Sequence, residues 1–446
     1  STPVSFCTLV SPILVGVQTG LTGDAAVADW AIAQGFVQND GSFDSYALMF
    51  QIGWRVAFLH AVTGALIPLI MVSLLTRFFG PDRSLRHGLK CWRFAIASSF
   101  AMTVPYFLVA RFLGPEFPSL LGSLVGLAIM VTVARRGWLM PDKEKPWGFG
   151  APEKWEPEWK GLVEIKDQPA SETNPMVLWK AWMPYLLVAV LLVLTRLKFL
   201  PIVGWLRSVK LEWTQIFGSQ IAASVEPLYL PGTIFIIVSL STFFLHEMTW
   251  KSYRDAWGRS VGTVIKASVA LIFTVPMVQI FLNSHEGLAG FAKMPNALAE
   301  GIAQIAGGAW PLFAPLIGGF GAFVAGSNTV SNMTFSLFQF GVGQRIGVDP
   351  MWIIALQAVG GAAGNIICVH NVVAASAVVG LLGKEGAVIR KTLPAFIYYA
   401  FLPGALGYAI VWQAQKGWLN LGSLITVLIW SLLIGIAVKY LRTSNH

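Results

Sequence analysis

Charged residues are scarce in this sequence of 446 residues. Asp, Glu, Lys and Arg together make up 12% of the chain, whereas hydrophobic residues make up 55%. A soluble globular domain carries about 25% charged residues, so this composition excludes an ordinary water-soluble protein. The hydrophobic residues instead form several runs of about 20 residues, which is the length that crosses a bilayer. The sequence therefore predicts an all-α, polytopic transmembrane helical bundle.

Cysteine is also rare, with only Cys7, Cys91 and Cys368 in the chain. An odd number of distant cysteines forms no disulfide framework, and no CxxC pair is present that could bind a metal ion. The motifs of a phosphate loop, a dinucleotide-binding fold and a nucleophile elbow are missing as well. No paired carboxylates or nucleophile–base pair can be assembled from the apolar runs, so the sequence predicts no enzyme, cofactor or metal site.

The net charge of +9 lies in the short segments between the apolar runs. Lys and Arg cluster at 77–93 and 384–391, whereas residues 24–50 contain four Asp and neither Lys nor Arg. This positive-inside pattern sets the orientation of a membrane protein and does not indicate a nucleic-acid partner. The apolar runs predict ordinary spans at about 54–75, 94–113, 118–134, 181–200, 229–246, 259–283, 394–413 and 419–441.

Residues 135–180 interrupt the apolar pattern with eight basic and eight acidic residues. Balanced charges of this density are typical of a solvated surface segment, so we interpret it as a cytoplasmic connector. The alternative is a small regulatory or docking module. The sequence therefore predicts three parts: a transmembrane region at 1–134, the charged connector at 135–180, and a second transmembrane region at 181–446.

Between residues 287 and 382 the apolar stretches are repeatedly broken by Gly, Pro, Ser and Asn. Broken helices survive at membrane depth only beside protein or a watery cavity, and they mark the binding sites of transporters. The first break is Gly-Ser-Asn-Thr-Val-Ser-Asn at 326–332, whose hydroxyl, amide and backbone N–H groups could bind an anion. The alternative is a turn in which these side chains bond between packed helices. The residues predicted to bind substrate here are Ser327, Asn328, Thr329, Ser331 and Asn332.

The second break is Gly-Gly-Ala-Ala-Gly-Asn at 360–365, followed by His370 and Asn371. Glycines let a helix unwind and let two backbones approach closely. The second wall of the substrate site is predicted to consist of Asn365, His370 and Asn371, and Gly360 and Gly361 are predicted to bind substrate as well.

Two ionisable residues are candidates for handling a proton. An intramembrane histidine such as His370 is a functional candidate, and the ordinary histidine pKa near 6.5 suits a proton relay. The alternative is a histidine that is simply bonded to a neighbouring carbonyl. Glu116, between Pro115 and Pro118, is the second candidate, and its alternative is a carboxylate at the start of a helix.

Several of these motifs resemble the lactate permease family. The resemblance rests on Gly-Ser-Asn-Thr-Val-Ser-Asn at 326–332, Val-Gly-Gly-Ala-Ala-Gly-Asn at 359–365, and the stretches at 377–385, 112–118 and 2–6. These stretches span nearly the whole chain in the order that the family has them. The resemblance implies proton-coupled symport of lactate, glycolate and related 2-hydroxy monocarboxylates across the bacterial inner membrane. A passive channel for small anions or neutral solutes is the alternative.

The resemblance also implies inverted repeats, with re-entrant tips and broken helices that meet near the midplane. Thr2 and Ser5 would belong to the first tip, and so to the substrate site, and residues 327–332 to the second. The family's helices ahead of the first tip are missing from this sequence, so residues 1–134 would be the remnant of the first repeat.

We predict that residues 77–93, 135–180 and 384–391 face the cytoplasm, because Lys and Arg concentrate there. Single cysteines introduced into these segments should resist an impermeant thiol reagent applied to intact cells and react after lysis. A cysteine introduced within 24–50 is the control and should react in intact cells. Labelling of any of the three basic segments from outside would contradict the orientation.

Overall fold

The structure, a computed structural model, is almost entirely helical. It describes residues 10–80, 82–115, 117–140, 148, 177–195, 200–214, 223–284, 290–378 and 383–442. Within these residues the only sheet is a pair of short antiparallel strands, in which Leu211 lies opposite Val225. The predicted all-α class is confirmed.

The chain forms two compact units. The larger unit comprises residues 1–164 and 272–446, and the smaller comprises 165–271. The predicted three-part division stays a prediction, because most of the connector at 135–180 lies outside the described residues.

The larger unit begins with a run of helices and ends with another. Its described N-terminal part contains α1 (Val10–Leu21), α2 (Ala25–Ala33), α3 (Ser45–Gly64), α4 (Ile67–Phe79), α5 (Leu85–Lys90), α6 (Trp92–Phe112) and α7 (Pro118–Arg135). The smaller unit contains α8 (Leu178–Leu194), α9 (Ile202–Ser208), β1 (Leu211–Trp213), β2 (Ala223–Val225), α10 (Pro231–Leu245) and most of α11 (Trp250–Leu282). The larger unit then continues with α12 (Met294–Ala306), α13 (Trp310–Ala325), α14 (Asn328–Arg345), α15 (Pro350–Gly364), α16 (Val369–Val378), α17 (Glu385–Val411), α18 (Gln413–Lys416) and α19 (Leu421–Arg442).

Several described stretches are long and apolar enough to cross a membrane. They are Trp92–Phe112, Pro118–Arg135, Met294–Ala325, Pro350–Val373, Glu385–Val411 and Leu421–Leu441. Helices α3 and α4 make a further span if they are counted together, although they are bent by 42° at their junction. The span predicted at 54–75 is therefore a broken one that starts earlier, at Ser45. The apolar helices α8 and α10 are shorter.

Aspartate side chains set the starts of three helices in the larger unit. Asp44 Oδ1 accepts hydrogen bonds from the backbone N–H groups of Tyr46 (3.0 Å) and Ala47 (3.1 Å), which caps α3. Asp24 caps α2 and Asp349 caps α15 in the same way. Such caps satisfy N–H groups that have no partner inside the helix.

Two of these caps also hold distant parts of the chain together. Asp349 Oδ2 pairs with Arg55 of α3 at 3.2 Å, and Asp24 Oδ2 pairs with Lys293 at 2.6 Å. The two pairs join residues that are 294 and 269 positions apart in sequence. The first helices of the chain are thus fixed against the helices that surround the second predicted tip.

Glycines bring α13 and α15 into direct backbone contact. A Cβ atom on Gly360 would overlap the carbonyl oxygen of Pro315, and one on Gly364 would overlap that of Gly319. These contacts advance in the same direction along both helices, so α13 and α15 run parallel. The predicted close approach is confirmed; α15 stays helical to Gly364, and the break in the helix begins at the last residue of the motif, at 365–368. The glycines of α15 therefore allow close packing against α13, and α15 remains a regular helix through them.

We predict that Gly360→Ala destabilises the protein by about 1–3 kcal/mol, because the added methyl group has no space beside Pro315. The matched control is Gly435→Ala in α19, where a Cβ would meet nothing within 4 Å. That change should be neutral or slightly stabilising. The measurement is the midpoint of thermal unfolding in detergent, and equal midpoints for the two variants would contradict the packing described.

Candidate functional site

The second predicted tip is a tight turn between α13 and α14. Helix α13 ends at Gly326, whose φ of 73° is in the left-handed region that glycine adopts without strain. Ser327 is extended, and its Oγ accepts a hydrogen bond from the N–H of Val330 at 3.4 Å. The polar residues that follow therefore lie in the first turns of α14 and not in an open loop.

An asparagine pair, Asn328 and Asn332, forms the centre of the candidate site. The two residues lie one turn apart on α14, and Asn332 Nδ2 donates to Asn328 Oδ1 at 3.1 Å. Their exposed fractions are 4% and 0%. Asn328 Nδ2 and Asn332 Oδ1 have no hydrogen-bond partner among the described residues. Because an unpaired buried polar atom is costly, this donor and this acceptor are the groups most suited to bind a ligand.

Glycines of two other helices lie against the asparagine pair. A Cβ on Gly361 of α15 would overlap Asn328 Oδ1. A Cβ on Gly16 of α1 would overlap the carbonyl oxygen of Thr329 and lie 3.0 Å from Asn332 Cβ. The pair is therefore enclosed where α1, α14 and α15 meet. Gly361, predicted to bind substrate, borders the pair, and its lack of a side chain leaves space for Asn328.

Ser331 has a different position, inside a buried chain of hydrogen bonds. Its Oγ donates to the carbonyl oxygen of Gly318 (2.9 Å) and accepts from Gln357 Nε2 (3.1 Å). Gln357 Oε1 accepts from Gln339 Nε2 (3.0 Å), and Gln339 Oε1 accepts from Trp310 Nε1 (2.7 Å). The chain connects α13, α14 and α15, as the packing alternative predicted for such side chains. A role of Ser331 in substrate binding stays a prediction.

The predicted second wall lies at the outer edge of the tip. His370 and Asn371 are exposed at the start of α16, and a Cβ on Gly326 would overlap His370 Nδ1. Asn371 Nδ2 donates to the carbonyl oxygen of Asn365 at 3.3 Å. Asn365 is half-buried, and its Oδ1 has no partner in the described part of the chain. The structure thus brings these residues close to the tip, but no contact between them and the asparagine pair is seen among the described residues.

Other predicted site residues stay untested. Thr2, Ser5 and Glu116 lie outside the described residues. Gly360 contacts Pro315 instead of facing the asparagine pair. Among the described residues, no group of three or more His, Cys, Asp or Glu is placed to hold a metal ion.

Sequence reasoning missed His60, which is buried in α3 with an exposed fraction of 3%. Its Nδ1 is hydrogen-bonded to the hydroxyl of Tyr399 on α17. The adjacent Tyr398 donates its hydroxyl to the carbonyl oxygen of Thr63 at 2.8 Å. The signal was available, because His60 lies within the apolar run predicted at 54–75, where any histidine is a functional candidate.

Comparison with known proteins places this chain in a family. The sequence profile of the L-lactate permease family matches residues 1–412. The chain belongs to this family. Its members are transporters and not enzymes. No solved structure matches the chain.

Individual relatives are moderately similar. A predicted L-lactate permease of Haemophilus influenzae is 28% identical, over 81% of this chain and 65% of the relative. The L-lactate permease of Bacillus subtilis is 24% identical, over 75% and 61%. The glycolate permease of Escherichia coli is 24% identical, over 91% and 68%. The chain thus spans about two thirds of the length of these curated relatives.

Proposed function

We propose that this protein is a secondary transporter that carries lactate, glycolate or a related small 2-hydroxy monocarboxylate across the bacterial inner membrane together with a proton. The family of transporters to which it belongs supports the class of function, and relatives named for lactate and glycolate support the class of substrate. The observation that carries the proposal is the buried asparagine pair, with one donor and one acceptor that have no partner among the described residues.

The asparagine pair matches the chemistry of a 2-hydroxy acid. Such a substrate carries a carboxylate that accepts hydrogen bonds and, on the adjacent carbon, a hydroxyl that can donate one. Asn328 Nδ2 would donate to the carboxylate, and Asn332 Oδ1 would accept from the hydroxyl. Two substituents on neighbouring carbons suit two amides one helical turn apart.

The charge of the site fits an anion that moves together with a proton. No ionisable residue lies between Gly326 and Asn332. The tip instead presents the N-terminal end of α14, whose partial positive charge favours an anion. A carboxylate and a proton add up to zero charge, so their joint passage requires no fixed cation at the tip. In alternating access, substrate and proton would each favour the binding of the other.

The test of the function is uptake of labelled lactate into proteoliposomes that contain the full chain and bilayer lipid. We expect an inward proton gradient to drive accumulation above equilibrium, and a protonophore to abolish it. Uptake that stops at equilibrium would indicate the passive channel instead. Uptake that follows sodium and ignores pH would contradict proton coupling.

Substitutions in the asparagine pair should separate recognition of the carboxylate from recognition of the hydroxyl. Asn328→Ala should raise the competition constants of both lactate and propionate about ten- to a hundredfold, because a hydrogen bond to a charged group contributes roughly 1.5–3 kcal/mol. Asn332→Ala should raise only that of lactate, about two- to tenfold, because propionate lacks the hydroxyl.

The matched control for both variants is Asn283→Ala, since the Asn283 amide already donates to the carbonyl oxygen of Gln279 at 2.9 Å. Its competition constants should equal those of the wild type. Ser331→Ala should lower the unfolding midpoint because it breaks the buried chain of hydrogen bonds, and its competition constants test the predicted role of Ser331 in substrate binding. Wild-type constants in well-folded Asn328→Ala protein would contradict the site.

A further inference from the structure

A second buried polar group lies away from the asparagine pair, where α3, α6 and α17 meet. The ring of His60 is tilted by 32° against that of Tyr399, at a centroid distance of 5.7 Å. It also lies edge-on to Tyr106 of α6, at 6.4 Å. His60 is thus a titratable side chain held between three helices in the interior of a membrane protein.

We propose that His60, hydrogen-bonded to Tyr399, is the group that carries the coupled proton. This inference rests on the proposed proton-coupled function. Ionisable side chains at membrane depth are costly and are usually retained for function. Histidine is also the side chain that gains and loses charge near neutral pH.

The surroundings of His60 suit a proton that arrives and leaves. The titratable groups that face it are the tyrosines Tyr106 from α6 and Tyr399 from α17, with Tyr398 bonded one turn away at Thr63. The described part of α1 contains no ionisable residue. On the sides of α15 and α4, the cap Asp349 is paired with Arg55, and Arg77 lies in the last turn of α4.

Tyr399 is a partner that fits both charge states of the imidazole. A tyrosine hydroxyl can donate to a ring nitrogen of neutral histidine and accept from a ring N–H of charged histidine. The hydrogen bond between the two residues therefore survives protonation. Tyr399 acts here as a positioning residue, and the imidazole alone takes up one proton from water on one side and returns it on the other.

His60 and Tyr399 are connected to the asparagine pair through the helices that pack against both sites. Phe396 lies one turn before Tyr399 on α17, and a Cβ on Gly319 would be 2.7 Å from its Cε2 atom. Gly319 belongs to the contact with α15 that positions the asparagine pair. Helix α3 also packs against α1 and α15, the two helices that border that pair. A positive charge on His60 would favour a bound carboxylate, and by reciprocity the carboxylate would favour the proton.

The experiment compares two assays in proteoliposomes for each variant. One is counterflow, the exchange of labelled for unlabelled lactate without an ion gradient, and the other is accumulation driven by an inward proton gradient. His60→Gln should weaken lactate binding, keep counterflow at saturating lactate within about twofold of wild type, and lose at least about tenfold in gradient-driven accumulation. Tyr399→Phe should keep coupling but shift the pH profile of uptake, because the imidazole loses its bonded partner. His87→Gln, at a half-buried histidine of α5 that pairs with Asp82, is the control and should match wild type in both assays.

The outcomes separate this inference from the function on which it rests. Wild-type protein that neither exchanges nor accumulates lactate would refute the proposed function itself. Coupled wild type together with a His60→Gln variant that still accumulates lactate would refute only the role of His60. The role of His60 would also be refuted if inserted His60→Gln protein lost counterflow and accumulation equally. It would likewise be refuted if His370→Gln uncoupled transport while His60→Gln did not. Should His60→Gln fail to insert, the pH profile decides, and an unchanged profile in Tyr399→Phe overturns the proposal.

Discussion

The backbone contact between α13 and α15 positions everything else in the candidate site. Because glycines remove the side chains at this crossing, the two helices touch along their main chains and leave little freedom to slide. Helix α14, which turns back from α13 at Gly326, is held against α15 as a result. This places Asn328 beside Gly361 and aligns the hydrogen bonds of the buried glutamines. The site is thus the product of a packing constraint more than of a flexible loop.

The interior of this region is polar without being charged. Amides and hydroxyls supply its hydrogen bonds, and most of these groups bond to one another, as in the chain from Trp310 to Ser331. A satisfied network of this kind fixes the relative positions of helices, because any shift would leave a buried polar atom unpaired. Within this region, Asn328 Nδ2 and Asn332 Oδ1 are buried and have no partner among the described residues. The helices provide a rigid frame, and a bound ligand could supply the partners that the described residues do not.

Much of the fold could be predicted from the sequence, because the length of an apolar run is a local property. The spans at 94–113 and 118–134 agree with α6 and α7 to within a few residues. The span at 54–75 does not, because the Asp44 cap starts α3 earlier and a bend divides the run.

The polar tip at 326–332 was also identifiable, since so many hydrogen-bonding residues are unusual in an apolar segment. Which of them keep free hydrogen-bonding capacity was not, because that depends on partners such as Gln357, far away in sequence. Ser331 and Asn332 are adjacent and equally polar, yet only the fold separates the bonded hydroxyl from the amide with an unpaired oxygen.

The pairing of Arg55 with Asp349 can form only late in synthesis of the chain. Asp349 lies 294 residues after Arg55, so at about 5–20 residues per second the arginine waits roughly 15–60 s in the membrane before its partner is synthesised. Arg55 also has partners within its own helix. Its Nη1 donates to the backbone carbonyl oxygen of Gln51 at 2.9 Å and to the side-chain oxygen of Gln51 at 3.1 Å. The guanidinium carbon lies 4.6 Å from the ring centre of Trp54. These contacts lie within α3 and do not depend on α15, whereas the charged partner Asp349 becomes available only when α15 has been made.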